Sequence, residues 1–156
     1  MTYRRTVLLL PFAAAACGRS PTRTTLTLVA SEGLNPNEEQ QPSPLVVQVY
    51  ELRSLDTFLQ LQFFDLLDHG VARLGGDLLY RREVEIQPGR TVVWEREADP
   101  AARFIGAIAG YRDQANIEWR GAVPLRIESR NNIRIRLDAR SMTVETVQPR
   151  RFLGIF

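Results

Sequence analysis

Leu45-Val46-Val47-Gln48-Val49-Tyr50-Glu51-Leu52 is dense in β-branched and aromatic side chains and broken by polar ones only at Gln48 and Glu51. Such a run reads as a strand that is well buried. Weaker strand signals flank it. Upstream, Leu26, Leu28 and Ala30 alternate with Thr25, Thr27 and Val29. Downstream, period-two alternation returns from Arg81, where Val84 and Ile86 lead to Pro88-Gly89 and then Val92 and Trp94, the pattern of a hairpin. Phe104 to Ala109, Ile117 to Trp119 and Val123 to Ile127 continue the series. Asn131-Asn132 reads as a turn before Ile133, Ile135 and Leu137, and Met142, Val144 and Val147 as a last strand.

One segment has helical spacing. Ser54 or Asp56 can cap it, and Leu55, Phe58, Leu59, Phe63, Leu66 and Leu67 form its apolar stripe. Asp68-His69-Gly70 closes it, and Val71 to Leu79 adds a further turn around Gly75-Gly76. About eight short strands with one helical insertion predict a mainly β chain, a β-sandwich.

The N-terminal residues obey different rules. Arg4 and Arg5 precede the apolar Val7 to Leu10, and Ala13 to Ala16 lead directly to Cys17, the one cysteine. A basic start, a short apolar segment and small residues make a secretory signal. A cysteine straight after them is the acceptor of a lipoprotein's acyl chains. Residues 1–16 are therefore expected to be a signal peptide, 17–23 a lipidated tether and 24–156 the β-sandwich domain. The apolar stretch falls short of the roughly 20 residues that span a bilayer. Ala14 stands where such signals usually carry Leu, and Arg4-Arg5 leaves the export route open between the general and the twin-arginine pathway.

Charge excludes a nucleic-acid partner. All 20 basic side chains are arginines, and cleavage before Cys17 removes Arg4 and Arg5 and no acid, leaving 18 against 18 acids. Arg126, Arg130, Arg134, Arg136 and Arg140 look like a basic patch, but Arg134 and Arg136 alternate with Ile133, Ile135 and Leu137, as on a strand with one wet face. Their expected acidic neighbours are Glu128 and Asp138. Catalysis lacks material: His69 is the only histidine, and Cys17 is taken by lipid. The expectation is no enzyme, no metal, no small-molecule substrate, and no cofactor beyond the covalent lipid. Phe58, Phe63, Phe64, Trp94 and Trp119 read as core.

Ser31 to Pro44 is a polar connection far longer than the usual 4–6 or so residues, and such loops tend to be functional. Pro36, Pro42 and Pro44 stiffen it, which lowers the entropy lost on docking to a partner.

Gly33-Leu34-Asn35-Pro36, Pro42-Ser43-Pro44 and the Val46 to Leu52 run resemble the outer-membrane lipoproteins of type VI secretion systems, the TssJ (SciN/VasD) family. The resemblance continues in Phe63-Phe64-Asp65-Leu66, Leu74 to Leu79, Pro88-Gly89, Phe104-Ile105-Gly106, Ala109 to Asp113 and Trp119-Arg120. It implies a transthyretin-like β-sandwich with an added helical element. It also implies a structural, non-catalytic role: anchoring in the inner leaflet of the outer membrane, facing the periplasm, and docking the periplasmic C-terminal domain of TssM in a membrane complex. The family's contact loop maps onto Asn35, Pro36, Asn37, Glu38, Glu39, Gln40, Gln41 and Pro42. Gly18 after the cysteine, rather than Asp, favours the outer membrane. The competing reading is a periplasmic lipoprotein that binds a small ligand or cell-wall glycan through Trp94, Trp119 and Tyr111.

Overall fold

The computed structural model describes residues 19–148 other than Asn116. The mainly β architecture expected from the sequence forms, with eight strands in two four-stranded sheets. One sheet is built from β4 (Thr91–Glu97), β1 (Arg23–Ala30), β7 (Arg130–Leu137) and β8 (Met142–Thr146), in that order. The other runs β3 (Leu78–Ile86), β2 (Leu45–Leu52), β5 (Phe104–Ala109), β6 (Arg120–Pro124). All neighbours are antiparallel except β1 and β7, which are parallel. Leu26, Leu28, Ile133 and Ile135 of the first sheet meet Val47, Val49, Ile105 and Ala107 of the second in the main core.

β2 is buried on both faces, which explains its near-continuous apolar run. Its outer face carries Gln48, Tyr50 and Leu52, which are covered by α1 (Asp56–Gln60) and α2 (Phe63–Leu74). Tyr50, Leu52, Phe58, Phe63, Leu66, Leu74 and Ile108 make this second core. The Tyr50 hydroxyl bonds the Gln48 side-chain oxygen and lies 3.3 Å from Leu66 O, while Gln48 Nε2 donates to Glu83 Oε2 at 2.8 Å. Burial raises the Tyr50 pKa, keeping the phenol protonated as a donor. Gly106 lets α1 close on the sheet, because a Cβ there would lie 2.9 Å from Phe58 Cζ. Arg120 Nη1 donates to Phe58 O and Leu61 O at 2.9 and 2.8 Å, satisfying carbonyls at the C-terminus of α1.

Several local expectations need correcting. β3 and β4 are not a hairpin, since they belong to different sheets. The turn at Pro88-Gly89 carries the chain over the edge of the sandwich, so Ile86, Val92 and Trp94 face a shared interior. Arg82 lies over Trp94 at 4.4 Å and Arg96 over Tyr80 at 3.5 Å along that side. The helical stripe is two helices broken at Leu61-Gln62, and the second continues through Gly70 to Leu74. Gly70 is buried there against the Tyr50 ring. Ile117 to Trp119 forms no strand, only a single bridge from Glu118 to Ser141. Asn131-Asn132 lies inside β7. Phe58 and Phe63 are core, whereas Phe64 is 63% exposed and Trp94 and Trp119 are half-buried. Arg134 and Arg136 do line a wet face, paired with Glu145 rather than Asp138 or Glu128.

Strand direction sorts the connections into two ends. The segments 31–44, 87–90, 110–119 and 138–141 gather at one, the loop end. The chain enters β1 at the other, the entry end, with the segments 98–103 and 125–129. Eight-residue strands such as β1 and β2 separate them, about 25 Å at roughly 3.3 Å per residue.

Candidate functional site

The segment 31–44 is held by its own side chains. Leu34 is fully buried, and Asn35 beside it is only 5% exposed with φ 46°. That left-handed backbone suits asparagine better than most residues. Asn35 Nδ2 donates to Ser43 Oγ at 3.1 Å and Pro44 O at 2.9 Å, and its Oδ1 accepts from Arg112 N–H at 3.1 Å. Ser43 closes the base by donating from its hydroxyl to Asn35 O and from its N–H to Leu34 O. At the tip, Asn37 Oδ1 accepts from Glu39 and Gln41 N–H at 3.0 and 2.8 Å, an arrangement that asparagine favours in turns. Gln40 takes φ 61° to complete the turn.

The eight loop residues singled out from the sequence therefore divide. Asn35 faces inward as a clamp, and Pro36 and Asn37 are half-buried. Glu38, Glu39, Gln40, Gln41 and Pro42 are exposed. Sequence reasoning missed their neighbours. Arg112, Asp113 and Arg140 line a small cleft beside Asn35 and Pro36, and Arg112 Nε reaches Ser43 Oγ at 3.4 Å. The signal was available in chain direction, because β5–β6 and β7–β8 must turn at the same end as β1–β2. Tyr111 locks these turns together: its hydroxyl sits 2.6 Å from Ser141 O and 3.1 Å from Asp138 O. Burial, with a smaller push from the Asp138 charge, raises its pKa.

The rings of the ligand-binding reading are committed to packing. Tyr111 is clamped as above, Trp119 stacks edge-to-face on Phe63 at 5.3 Å, and Trp94 lies under Arg82. Among the described residues the one strongly buried acid is Glu51, 1% exposed. Desolvation raises its pKa, opposed by the Asp99 N–H and by Arg96, whose Nε lies 2.7 Å from Glu51 Oε1. Glu51 thus joins β2 to β4 of the facing sheet. Among the described residues, no group of three or more His, Cys, Asp or Glu side chains could hold a metal. No helix among them is long and apolar enough to cross a membrane. Cys17 and the expected signal, residues 1–16, lie outside the described residues.

A family model for the type VI secretion lipoproteins VasD, EvfM and TssJ (T6SS-SciN) matches residues 22–140. The chain belongs to this type VI secretion lipoprotein family. Its fold is similar to that of the lipoprotein TssJ1 from Pseudomonas aeruginosa, at 31% identity and a TM-score of 0.80, over 83% of this chain and 98% of that one. Lip from Serratia marcescens, a membrane-bound component of the type VI secretion system, aligns at 26% identity and a TM-score of 0.74, over 82% and 99%. A chain in a structure described as the TssM C-terminal domain from EAEC shares the fold at 24% identity and a TM-score of 0.66, over 81% and 99%. Comparison with curated proteins found no match. The exposed residues Glu38 to Pro42 lie at the loop end.

Proposed function

We propose that the protein is the outer-membrane lipoprotein of a type VI secretion membrane complex, held by acyl chains on Cys17 and docking the periplasmic C-terminal region of TssM with the loop Asn35 to Pro42. Residues 1–16 are the signal, and 17–23 lead into the sandwich, with Thr22 and Arg23 already bonded to it. The observation that carries this reading is the separation of the two ends. The chain enters at one, a few residues after Cys17, and the preformed loop projects from the other. A lipid-held molecule with that geometry turns its loop away from the membrane and toward a partner.

The loop's internal bonds support docking, since a segment already ordered loses less entropy on binding. Acylation at more than one position suits a stable anchor, because a single chain holds only marginally. The likeness to a structure described by TssM fits the same partner. In titration calorimetry with the TssM periplasmic region, Glu38→Arg with Glu39→Arg is expected to weaken affinity at least tenfold, about 1.4 kcal/mol, with the melting temperature unchanged. Unaltered affinity would move the interface elsewhere. Fatty-acid labelling that vanishes in Cys17→Ser checks the anchor.

A further inference from the structure

Phe64 is an aromatic ring that the sequence assigns to the core and the structure leaves in solvent. It is 63% exposed, and Val71, two helical turns later, is 58% exposed. Half-buried Leu67 lies between them, so α2 carries an apolar stripe beside the face that buries Leu66, Gly70 and Leu74. Contiguous exposed apolar side chains with a polar rim mark interaction surfaces.

The stripe borders a shallow groove. Phe64, Leu67 and Asp68 line it from α2, Val46 and Glu83 from β2 and β3, and Gln114 from the segment 110–119. Val46 lies at the start of β2, just after Pro44, and its carbonyl accepts the Gly110 N–H at 2.9 Å. The groove therefore opens at the loop end, beside the base of the segment 31–44. Its walls are fixed. Gln48 Nε2 donates to Leu67 O at 3.4 Å and to Glu83 Oε2 at 2.8 Å, tying helix to sheet. The Phe64 ring packs edge-on against buried Phe63, with centroids 5.3 Å apart.

Charge gives the occupant its character. The ionisable side chains that line the groove, Asp68 and Glu83, are both exposed acids. Exposed Glu85, opposite Val46, adds a third on the same face of β3. Arg73 of α2 is paired with Asp65 at 3.2 Å, and Arg81 lies farther from the loop end, opposite Tyr50. The exposed acids of the loop tip, Glu38 and Glu39, have the same sign.

We propose that this groove is a further docking site for the partner the loop holds, taking a large apolar side chain flanked by lysine or arginine. It rests on the docking reading above and gives the partner's contacting segment a chemistry. The apolar side chain sits against Phe64 and Leu67, and its cationic neighbours face Asp68 and Glu83. A ring already held by Phe63 offers contact area at low entropic cost. The acidic rim speeds encounter with a basic segment and rejects an acidic one.

The test titrates the TssM periplasmic region, by calorimetry, into the chain from residue 17 with Cys17→Ser. Adding Phe64→Ser is expected to weaken affinity at least tenfold, and Asp68→Arg severalfold, with melting temperatures unchanged because both side chains are exposed. The Asp68→Arg loss should shrink at high salt. Photoreactive benzoylphenylalanine in place of Phe64 should cross-link to a segment of the TssM region with Lys or Arg within a few residues. The same group in place of Val93, exposed on β4 of the other sheet, should not. Full affinity of Phe64→Ser, no adduct from position 64, or an adduct to an acidic segment overturns the proposal. So does self-association that Phe64→Ser abolishes, which gives the groove to a second copy. A loss confined to Glu38→Arg with Glu39→Arg removes the groove and leaves the loop reading standing. No binding by the unsubstituted chain, or equal affinity in every variant, removes both.

Discussion

The two ends of the sandwich solve the same problem, tying down a turn, with the same residue type, and the outcomes differ. At the loop end, buried Asn35 spreads its side-chain bonds over Ser43, Pro44 and Arg112, holding a segment whose tip shows Glu38 and Glu39 to solvent. At the entry end, Asn131 is 1% exposed; its Oδ1 accepts from Arg126 N–H at 2.8 Å and its Nδ2 donates to Arg126 O at 2.9 Å. The short turn it holds keeps Glu128 at φ 56°, with Glu128 N–H on Thr22 Oγ1 at 2.8 Å. One asparagine holds a long exposed loop; the other fixes a short turn against Thr22, just before β1. Comparable local chemistry therefore holds a long exposed loop at one end and a short turn beside the start of β1 at the other.

That contrast breaks most sharply in Asn131→Ala. Losing its bonds at a buried site should cost about 3 kcal/mol of stability, at the upper end for an unsatisfied buried group, while the folded fraction binds TssM with unchanged affinity. Asn35→Ala is expected to cost about 2 kcal/mol and also to weaken TssM binding severalfold, because the tip loses its base. Chemical denaturation and calorimetry on the same samples separate the two. If both substitutions affect only stability, the loop is not the docking element.

Much of this arrangement was legible in the sequence, and the illegible part has a physical pattern. The buried run of β2 and the alternation of β1 and β7 follow from side-chain period alone. Period two cannot say which strand is the partner, so β3 and β4 looked like a hairpin although they lie in opposite sheets. The Asn131 side chain that would sit in a turn can equally reach back to one from inside a strand. Phe63 and Phe64 are adjacent, and only the docked face of α2 distinguishes the buried ring from the exposed one. At the candidate site, loop length and prolines flagged the segment, but the clamp role of Asn35 depends on Arg112, 77 positions away. The lipid-acceptor reading of Cys17 rests on sequence alone.

A smaller effect concerns Glu51, which lies toward the entry end of β2. Its folded pKa is raised above the ordinary 4.5 by desolvation, so the native state holds this proton more tightly than the unfolded chain does. The stabilisation that the protonated form contributes is complete below the unfolded value and is lost as pH rises through the raised folded one. Relative to wild type, Glu51→Gln should show less decline in melting temperature across that interval, measured by calorimetric scans. Parallel curves would mean that Arg96 and the Asp99 N–H fully offset burial.

The proposed function puts attachment and docking at opposite ends of one small sandwich. The most direct test of that division is calorimetric titration of the TssM periplasmic region against two variants, Glu38→Arg with Glu39→Arg at the loop end and Arg126→Glu at the entry end. We predict at least a tenfold loss of affinity for the first and a change within about twofold, or 0.4 kcal/mol, for the second. Equal affinities for the loop variant and wild type, or a loss confined to Arg126→Glu, would contradict it.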